Sequence, residues 1–292
     1  MRSLSLRLAA AAGLFAAGLA AFPGQAGPTW WRVSDGHAEV WVLGAPRFTP
    51  KDMAWDTAGV ERRLAGANQL ILGAQPRGGL KAMAVMISGA GSHTPMLDSL
   101  PPALRRRFET VSNGIGKPAS HYAGWKPVVA GVMLAGDIYK ASDLKPGEVE
   151  QVVRRLARKA GAREAPAAAY DAADIARAAD ALSPAGQQIC LGATLQGLEA
   201  GTGRLKAGAL DWARGEPRPT APGTADLACL AAMPTVKALS ERNLTAEAAA
   251  LASALKAPGR SVALFDLEQL AMPGGVLDRL RSRGLIVAGP LP

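Results

Sequence analysis

The chain contains few histidines and cysteines, the side chains that most often bind transition metals or take part in nucleophilic catalysis. Its three histidines are far apart in the sequence, at His37, His93 and His121. We interpret His37 as a solvated turn residue and His121 as a helix cap or a surface residue. His93 follows Ser92 in a glycine-rich segment, and a serine–histidine pair can form a nucleophile. No G-x-S-x-G motif accompanies this pair, so the sequence lacks the strand-to-helix turn on which such serine hydrolases carry their nucleophile.

A second candidate for chemistry is a pair of acidic residues near the C-terminus. Asp266 and Glu268 alternate with apolar residues at the end of a strand pattern, and a period of two would place both on one face. Paired carboxylates can perform general acid–base catalysis. A solvated strand end explains the same pattern. A hydrolase that uses His93, Asp266 or Glu268 therefore remains an alternative function.

The polar group that the sequence positions best is Arg47. Residues 31–47 read WRVSDGHAEVWVLGAPR and predict two β-strands joined by a tight turn at Asp35-Gly36. The second strand continues into the small residues that begin at Gly44, where the backbone must leave the sheet. Strand ends of this kind commonly present a polar group to a cleft. We predict that Arg47 is presented in this way.

Hydrophobic periodicity and capping residues predict the other elements. Helices are expected at residues 52–67, 120–134, 146–160, 234–242, 245–256 and 275–283, with Thr245 as a cap. Strands are expected at residues 69–72, 165–170, 261–265 and 285–287. Asp171 and Ser183 are predicted to cap the two helices that follow them.

Three motifs resemble those of the TraB/GumN family, to which the Tiki proteases also belong. The hairpin matches the family's Trp-x-Val-Ser-Asp-Gly opening, residues 241–243 match its Glu-Arg-Asn element, and residues 272–285 match its C-terminal helix and strand. The resemblance covers roughly residues 30–287. It implies an α+β fold with a mixed β-sheet core flanked by many helices. An arrangement in two loosely related halves is left open. Residues 27–292 would then form one domain.

The family's chemical groups are replaced at four positions. The resemblance implies a histidine in each of two Gly-x-x-His motifs, where this chain has Arg47 and Gln269. It also implies a glutamate at each of two strand ends, where the chain has Gly73 and Tyr170. A divalent metal needs imidazole or ionised oxygen ligands, and arginine adds a permanent positive charge. We therefore predict a catalytically degenerate member that acts as an envelope binding or scaffolding protein, with no metal and no cofactor. A metal-dependent, peptidase-like hydrolase of the kind that the resemblance implies is the alternative.

The remaining family positions suggest ligand binding. The resemblance implies that Arg242 holds an anionic group in the cleft. An internal ion pair with Glu241 or another carboxylate, at a helix end, is an equal alternative. The predicted ligand-binding residues are Gly44, Arg47, Glu241, Arg242 and Gln269. The expected partner is an unidentified envelope protein or an anionic ligand.

Residues 1–26 have the pattern of a secretory signal peptide. Arg2 and Arg7 precede an apolar run, and small residues end at Ala26. An uncleaved anchor is the alternative, and it would give the only contact with a membrane. We expect a periplasmic or secreted protein.

Charge and cysteine content are consistent with this location. The formal charge of +9 falls to +7 when Arg2 and Arg7 are removed with the signal peptide. No lysine or arginine cluster is interleaved with aromatic residues, which argues against nucleic-acid binding. In an exported chain the two cysteines, Cys190 and Cys229, are expected to form a disulfide. Two buried free thiols are the alternative.

Overall fold

The computed structural model describes residues 27–89, 96–219 and 222–291. The predicted signal peptide and His93 therefore lie outside the described residues. The strands are β1 (Trp30–Ser34), β2 (Glu39–Ala45), β3 (Phe48–Pro50), β4 (Ala67–Leu72), β5 (Gln75–Arg77), β6 (Leu144–Pro146), β7 (Arg163–Pro166), β8 (Ala169–Asp171), β9 (Arg260–Asp266) and β10 (Ile286–Leu291).

The helices surround these strands and confirm the predicted α+β class. They are α1 (Ala58–Leu64), α2 (Gly79–Gly89), α3 (Pro102–Asn113), α4 (Pro127–Ala141), α5 (Glu148–Lys159), α6 (Ala172–Asp180), α7 (Pro184–Glu199), α8 (Thr202–Ala213), α9 (Thr224–Ala232), α10 (Pro234–Lys256), α11 (Leu267–Ala271) and α12 (Val276–Arg281). Two short 3-10 helices lie at Met96–Ser99 and Ala119–Tyr122. Within the described parts of the chain, no helix is both long and apolar enough to cross a membrane.

The N-terminal hairpin forms as predicted. Strands β1 and β2 pair antiparallel, with Trp31 opposite Val42. The Asp35 carboxylate accepts hydrogen bonds from the backbone N–H groups of His37 and Ala38, and Gly36 adopts a φ of 94°. Only glycine takes up such a conformation without a Cβ clash, which explains its place in the turn.

The main sheet has six strands in the order β10-β1-β2-β9-β4-β7. Strands β2, β9, β4 and β7 are parallel, whereas β1 and β10 are antiparallel additions at one edge. The carboxyl ends of the four parallel strands therefore meet at the same edge. In open α/β sheets this edge is where ligands bind.

Several predicted boundaries were wrong. The helix expected at 52–67 is confined to α1, because Asp52 has a positive φ and the Asp56 carboxylate accepts the Ala58 N–H just before the helix. The helix expected at 120–134 begins only at Pro127, since a proline disfavours a helical residue before it and suits the first turn. The strand expected at 165–170 is interrupted between β7 and β8.

The helix cap predicted at Thr245 was also wrong. Helix α10 runs without a break from Pro234 to Lys256, and the Thr245 hydroxyl donates to the carbonyl oxygen of Glu241 at 2.8 Å. By contrast, the caps predicted at Asp171 and Ser183 are confirmed, because each side chain accepts a backbone N–H from its helix.

Hydrophobic residues form two main clusters. One packs on the sheet, where Trp212 is fully buried and its Nε1–H donates to the carbonyl oxygen of Gly44 at 2.6 Å. The other lies among the helices α3, α4 and α7, around Phe108, Tyr122 and Leu191. The helical cluster is built from the middle of the chain, whereas the sheet cluster draws on both ends.

The predicted disulfide is present. Cys190 of α7 and Cys229 of α9 are bonded, with their Cα atoms 4.6 Å apart. Helix α9 packs chiefly on α7 and has no fully buried residue. The disulfide therefore adds a covalent link to a helix that packs on α7 without a fully buried side chain.

Candidate functional site

A cavity of about 590 Å³ lies beyond the carboxyl ends of β2, β4 and β9. The four positions at which the family's imidazole or carboxylate groups are expected all line it: Arg47, Gly73, Tyr170 and Gln269. We call this cavity the cleft. The structure thus brings together residues that are separated by up to about 220 positions in the sequence.

Each of the four residues is positioned by a different element. Arg47 follows β2, and Gly73 follows β4, which is the neighbour of β9 in the sheet. Tyr170 is in β8, and Gln269 is in the short helix α11 that begins directly after β9. Because β2 and β4 end and α11 begins at the same sheet edge, these positions converge on one space.

An ion pair holds Arg47 in place. Its Nε lies 3.2 Å from Oδ2 of Asp266, and Oδ1 of Asp266 accepts the backbone N–H of Gln269 at 3.0 Å. Asp266 therefore caps α11 and anchors Arg47 at the same time. The Arg47 side chain remains 57% exposed, so the rest of its guanidinium faces solvent in the cleft.

The placement of Asp266 and Glu268 on one strand face, which a period of two implied, was wrong. Asp266 is the last residue of β9, and the chain turns into α11 at Leu267 because Asp266 caps that helix. Glu268 consequently lines an adjoining cavity of about 560 Å³, into which Arg47 and Gln269 also extend. His37 lies in the exposed hairpin turn, and His121 is exposed with its ring 4.9 Å from that of Tyr122.

A buried glutamate in the cleft was missed from the sequence. Glu247 of α10 is only 2% exposed, and its Oε1 accepts the backbone N–H of Ala74 at 2.9 Å. Its Oε2 is buried without a hydrogen-bond partner among the described residues. A signal did exist, because Glu247 is three residues after Leu244 and four before Leu251, both buried on the same helix face.

Burial changes the acid–base behaviour of Glu247. Loss of solvent favours the neutral carboxyl and raises the pKa of Glu247 to about 7, and the negative charge of Asp266 acts in the same direction. The hydrogen bond from Ala74 opposes this shift. Burial likewise raises the pKa of the Tyr170 hydroxyl, against the opposing charge of Arg47.

Gly73 and Glu247 are complementary in shape. A Cβ atom on Gly73 would lie 3.1 Å from Oε1 of Glu247, a contact tighter than ordinary van der Waals packing. A side chain at the end of β4 would therefore displace this carboxyl. In place of the expected strand glutamate, α10 supplies a carboxyl group to the same end of β4.

Three other predicted ligand-binding residues lie outside the cleft lining. Gly44 is buried, and a Cβ atom there would lie 2.8 Å from a side-chain carbon of Leu267, so its small size serves packing. Arg242 is exposed, and Glu241 forms an ion pair with Arg279 of α12 instead of with Arg242. Of the Glu-Arg-Asn element at residues 241–243, only Asn243 lines the cleft.

The donor groups in the cleft do not fit a divalent metal. Asp266 is bound by Arg47, and Glu150, a third carboxylate of the lining, is paired with Arg154 at 3.2 Å. Across residues 27–89, 96–219 and 222–291, no three histidine, cysteine or acidic side chains lie close enough together to hold a metal ion. The guanidinium of Arg47 also places a positive charge where a cation would have to bind.

Comparison with known proteins agrees with the resemblance at both ends of the chain. The sequence profile of the TraB/PrgY/gumN family matches residues 29–288. The chain belongs to this family. Among curated proteins and among solved structures, none matches the chain. The family assignment spans the whole sheet apart from the end of β10, and it includes every residue that lines the cleft.

Proposed function

We propose that this TraB/PrgY/gumN family member is an exported binding or scaffolding protein without the metal-dependent hydrolysis that the resemblance implies. One observation carries the proposal: Arg47, Gly73, Tyr170 and Gln269 converge on a single cleft. These positions hold an arginine, a glycine, a tyrosine and a glutamine instead of the imidazoles and carboxylates that the resemblance implies, so the chemistry of the cleft is different.

The chemistry of the cleft favours an anionic group as the bound species. Arg47 uses its Nε on Asp266, and a guanidinium has five N–H donors, so the remaining donors can bind a carboxylate or a phosphate. Asp266 fixes the orientation of this group before any ligand arrives. The disulfide between Cys190 and Cys229 is compatible with an oxidising compartment and so with export to the envelope.

The proposal is tested by the metal content and the turnover of the purified protein. We expect substoichiometric zinc, manganese and cobalt after purification, and no cleavage of unstructured peptides when these ions are added. The matched control is the double variant R47H/Q269H, which restores the two imidazoles that the family pattern implies. Stoichiometric metal in the unaltered protein, together with turnover that a chelator abolishes, would overturn the proposal.

A further inference from the structure

Glu247 has a buried oxygen for which the fold provides no partner. Its Oε1 is bonded to the Ala74 N–H, but Oε2 has no hydrogen bond within the described residues, and the side chain lines the cleft. Buried polar atoms are nearly always hydrogen-bonded in folded proteins. Oε2 itself has almost no accessible surface, so a ligand atom can pair with it only after the carboxyl turns toward the cleft that the residue lines.

The charged groups that face Glu247 come from several elements. Asp266 projects from β9 and Arg47 from the loop after β2, and these two neutralise each other in an ion pair. Glu150 of α5 is neutralised by Arg154 of the same helix. Glu247 is thus the one carboxyl of the described cleft lining that has no cationic partner.

The other neighbouring elements add no charge to the described lining. Strand β8 contributes the neutral hydroxyl of Tyr170, and α6 and α9 contribute Ile175 and Leu230. With a pKa raised to about 7, the Glu247 carboxyl carries a proton at mildly acidic pH and is then a hydrogen-bond donor. The floor of the cleft therefore offers a neutral donor, and its rim offers the guanidinium of Arg47.

We infer that Arg47 and Glu247 form a two-point binding site for a small hydroxylated carboxylic acid, such as a sugar acid. The ligand carboxylate binds the remaining N–H groups of Arg47, and a neutral hydroxyl or carbonyl oxygen of the ligand accepts a hydrogen bond from Glu247. This inference rests on the proposed binding function and names its ligand class. Ser240, Asn243 and Gln269 line the same space and supply hydroxyl and amide groups for further ligand oxygens.

A cationic ligand fits the same residues less well. It would meet the partly exposed positive charge of Arg47, while Asp266 and Glu150 are already engaged by arginines. An apolar ligand would leave Oε2 of Glu247 without a hydrogen bond. A buried polar atom without a partner costs free energy, and only a polar ligand atom would remove that penalty. The charge balance therefore selects an anion that also carries a neutral acceptor.

The test is isothermal titration at pH 6 of the full mature protein with three probes. D-glucuronate has both features, acetate has only the carboxylate, and methyl glucoside has only the neutral oxygens. The variants are R47Q, E247M and E247Q. Glutamine keeps a hydrogen-bond donor of the same shape at position 247, whereas methionine keeps the length without the donor. Circular dichroism establishes that each variant is folded.

We expect D-glucuronate to bind more tightly than acetate or methyl glucoside, and R47Q to abolish its binding. The E247M variant should weaken binding about tenfold, the effect of one lost buried hydrogen bond, while E247Q stays close to the unaltered protein. Binding of acetate and D-glucuronate with equal affinity, dependent on Arg47 but unaffected in E247M, would overturn the inference and leave the proposed anion-binding function standing. Binding of neither carboxylate would overturn both.

Discussion

Asp266 controls the chemistry of the cleft by binding two groups at once. Its Oδ2 pairs with Arg47 and its Oδ1 caps α11, so the guanidinium and the helix that carries Gln269 are held by one carboxylate. A partly exposed ion pair of this kind contributes only about 0–1 kcal/mol to stability. Its main consequence is orientation, because it fixes a flexible arginine at the mouth of the cleft.

The contact between Gly73 and Glu247 yields a prediction for single residues. The change G73A places a methyl group 3.1 Å from Oε1 of Glu247, which the Ala74 N–H holds in place, so we expect a loss of about 1 kcal/mol of unfolding free energy. In an E247A background the same change meets no carboxyl, and it should be neutral or stabilising because alanine restricts the unfolded chain. Urea unfolding of the four proteins measures both steps.

The comparison of the four proteins isolates the coupling between the two positions. We expect an interaction of about 1 kcal/mol, the size typical of residues in contact. If the effects of G73A and E247A simply add, the carboxyl of Glu247 does not occupy the space that the glycine leaves open.

At the scale of elements, local patterns predicted the hairpin, the central strands and the caps, because these depend on neighbouring residues. The turn at Gly36 and the cap at Asp171 are examples. The continuity of α10 was not predicted, since Thr245 has a capping residue type but bonds backward to the Glu241 carbonyl within the helix. Glu247 was missed for a related reason: its place on the apolar helix face is visible, but its position beside β4 depends on packing between distant segments.

The disulfide gives a prediction for helix α9. This helix has no fully buried residue, and it forms part of the cleft wall through Leu230. Replacing both Cys190 and Cys229 by serine removes a cross-link across 39 residues, which the chain-entropy model values at about 4 kcal/mol of global unfolding free energy. The same change also removes the covalent link that prevents α9 from separating from α7 on its own. We expect amide hydrogen exchange in α9 to speed up by more than tenfold through local opening.

The sheet provides the internal control for this experiment. Amides of β2 and β9 lie in the buried core and should keep their ranking as the slowest-exchanging group in the variant. Unchanged protection of α9, with a uniform loss elsewhere, would show that the disulfide stabilises the whole fold and does not specifically hold this helix.

For the whole molecule, the cleft depends on contacts between the two ends of the chain. Strand β2 from the N-terminal hairpin pairs in parallel with β9 from the C-terminal third, and Arg47 meets Asp266 only through this pairing. The long segment between them contains β4 and β7 of the sheet, and it supplies the helical cluster and the cysteines. Only the family pattern predicts that the cleft residues share one site, because no local signal links positions so far apart in the sequence.

The raised pKa of Glu247 predicts how the stability of the whole molecule depends on pH. The pKa of Glu247 rises from an ordinary 4.5 to about 7 on folding, so between these values the folded protein binds more protons than the unfolded chain. The contribution of Glu247 to the unfolding free energy should therefore be largest below pH 4.5, and it should fall as the pH rises to about 7. A shift of this size corresponds to roughly 3 kcal/mol.

Carboxylates whose pKa is lowered on folding have the opposite effect at lower pH. Glu164 and Glu199, each bound by arginine, stabilise the fold above their unfolded pKa and lose this contribution as the pH falls.

The contribution of Glu247 is isolated by comparing the E247Q variant with the unaltered protein in urea unfolding from pH 4.5 to 8. Because glutamine does not titrate, the variant should be relatively more stable as the pH rises, and the difference should level off above about pH 7. A constant difference across this range would mean that Glu247 is ionised in the folded protein, and the cleft floor would then hold a negative charge instead of a hydrogen-bond donor.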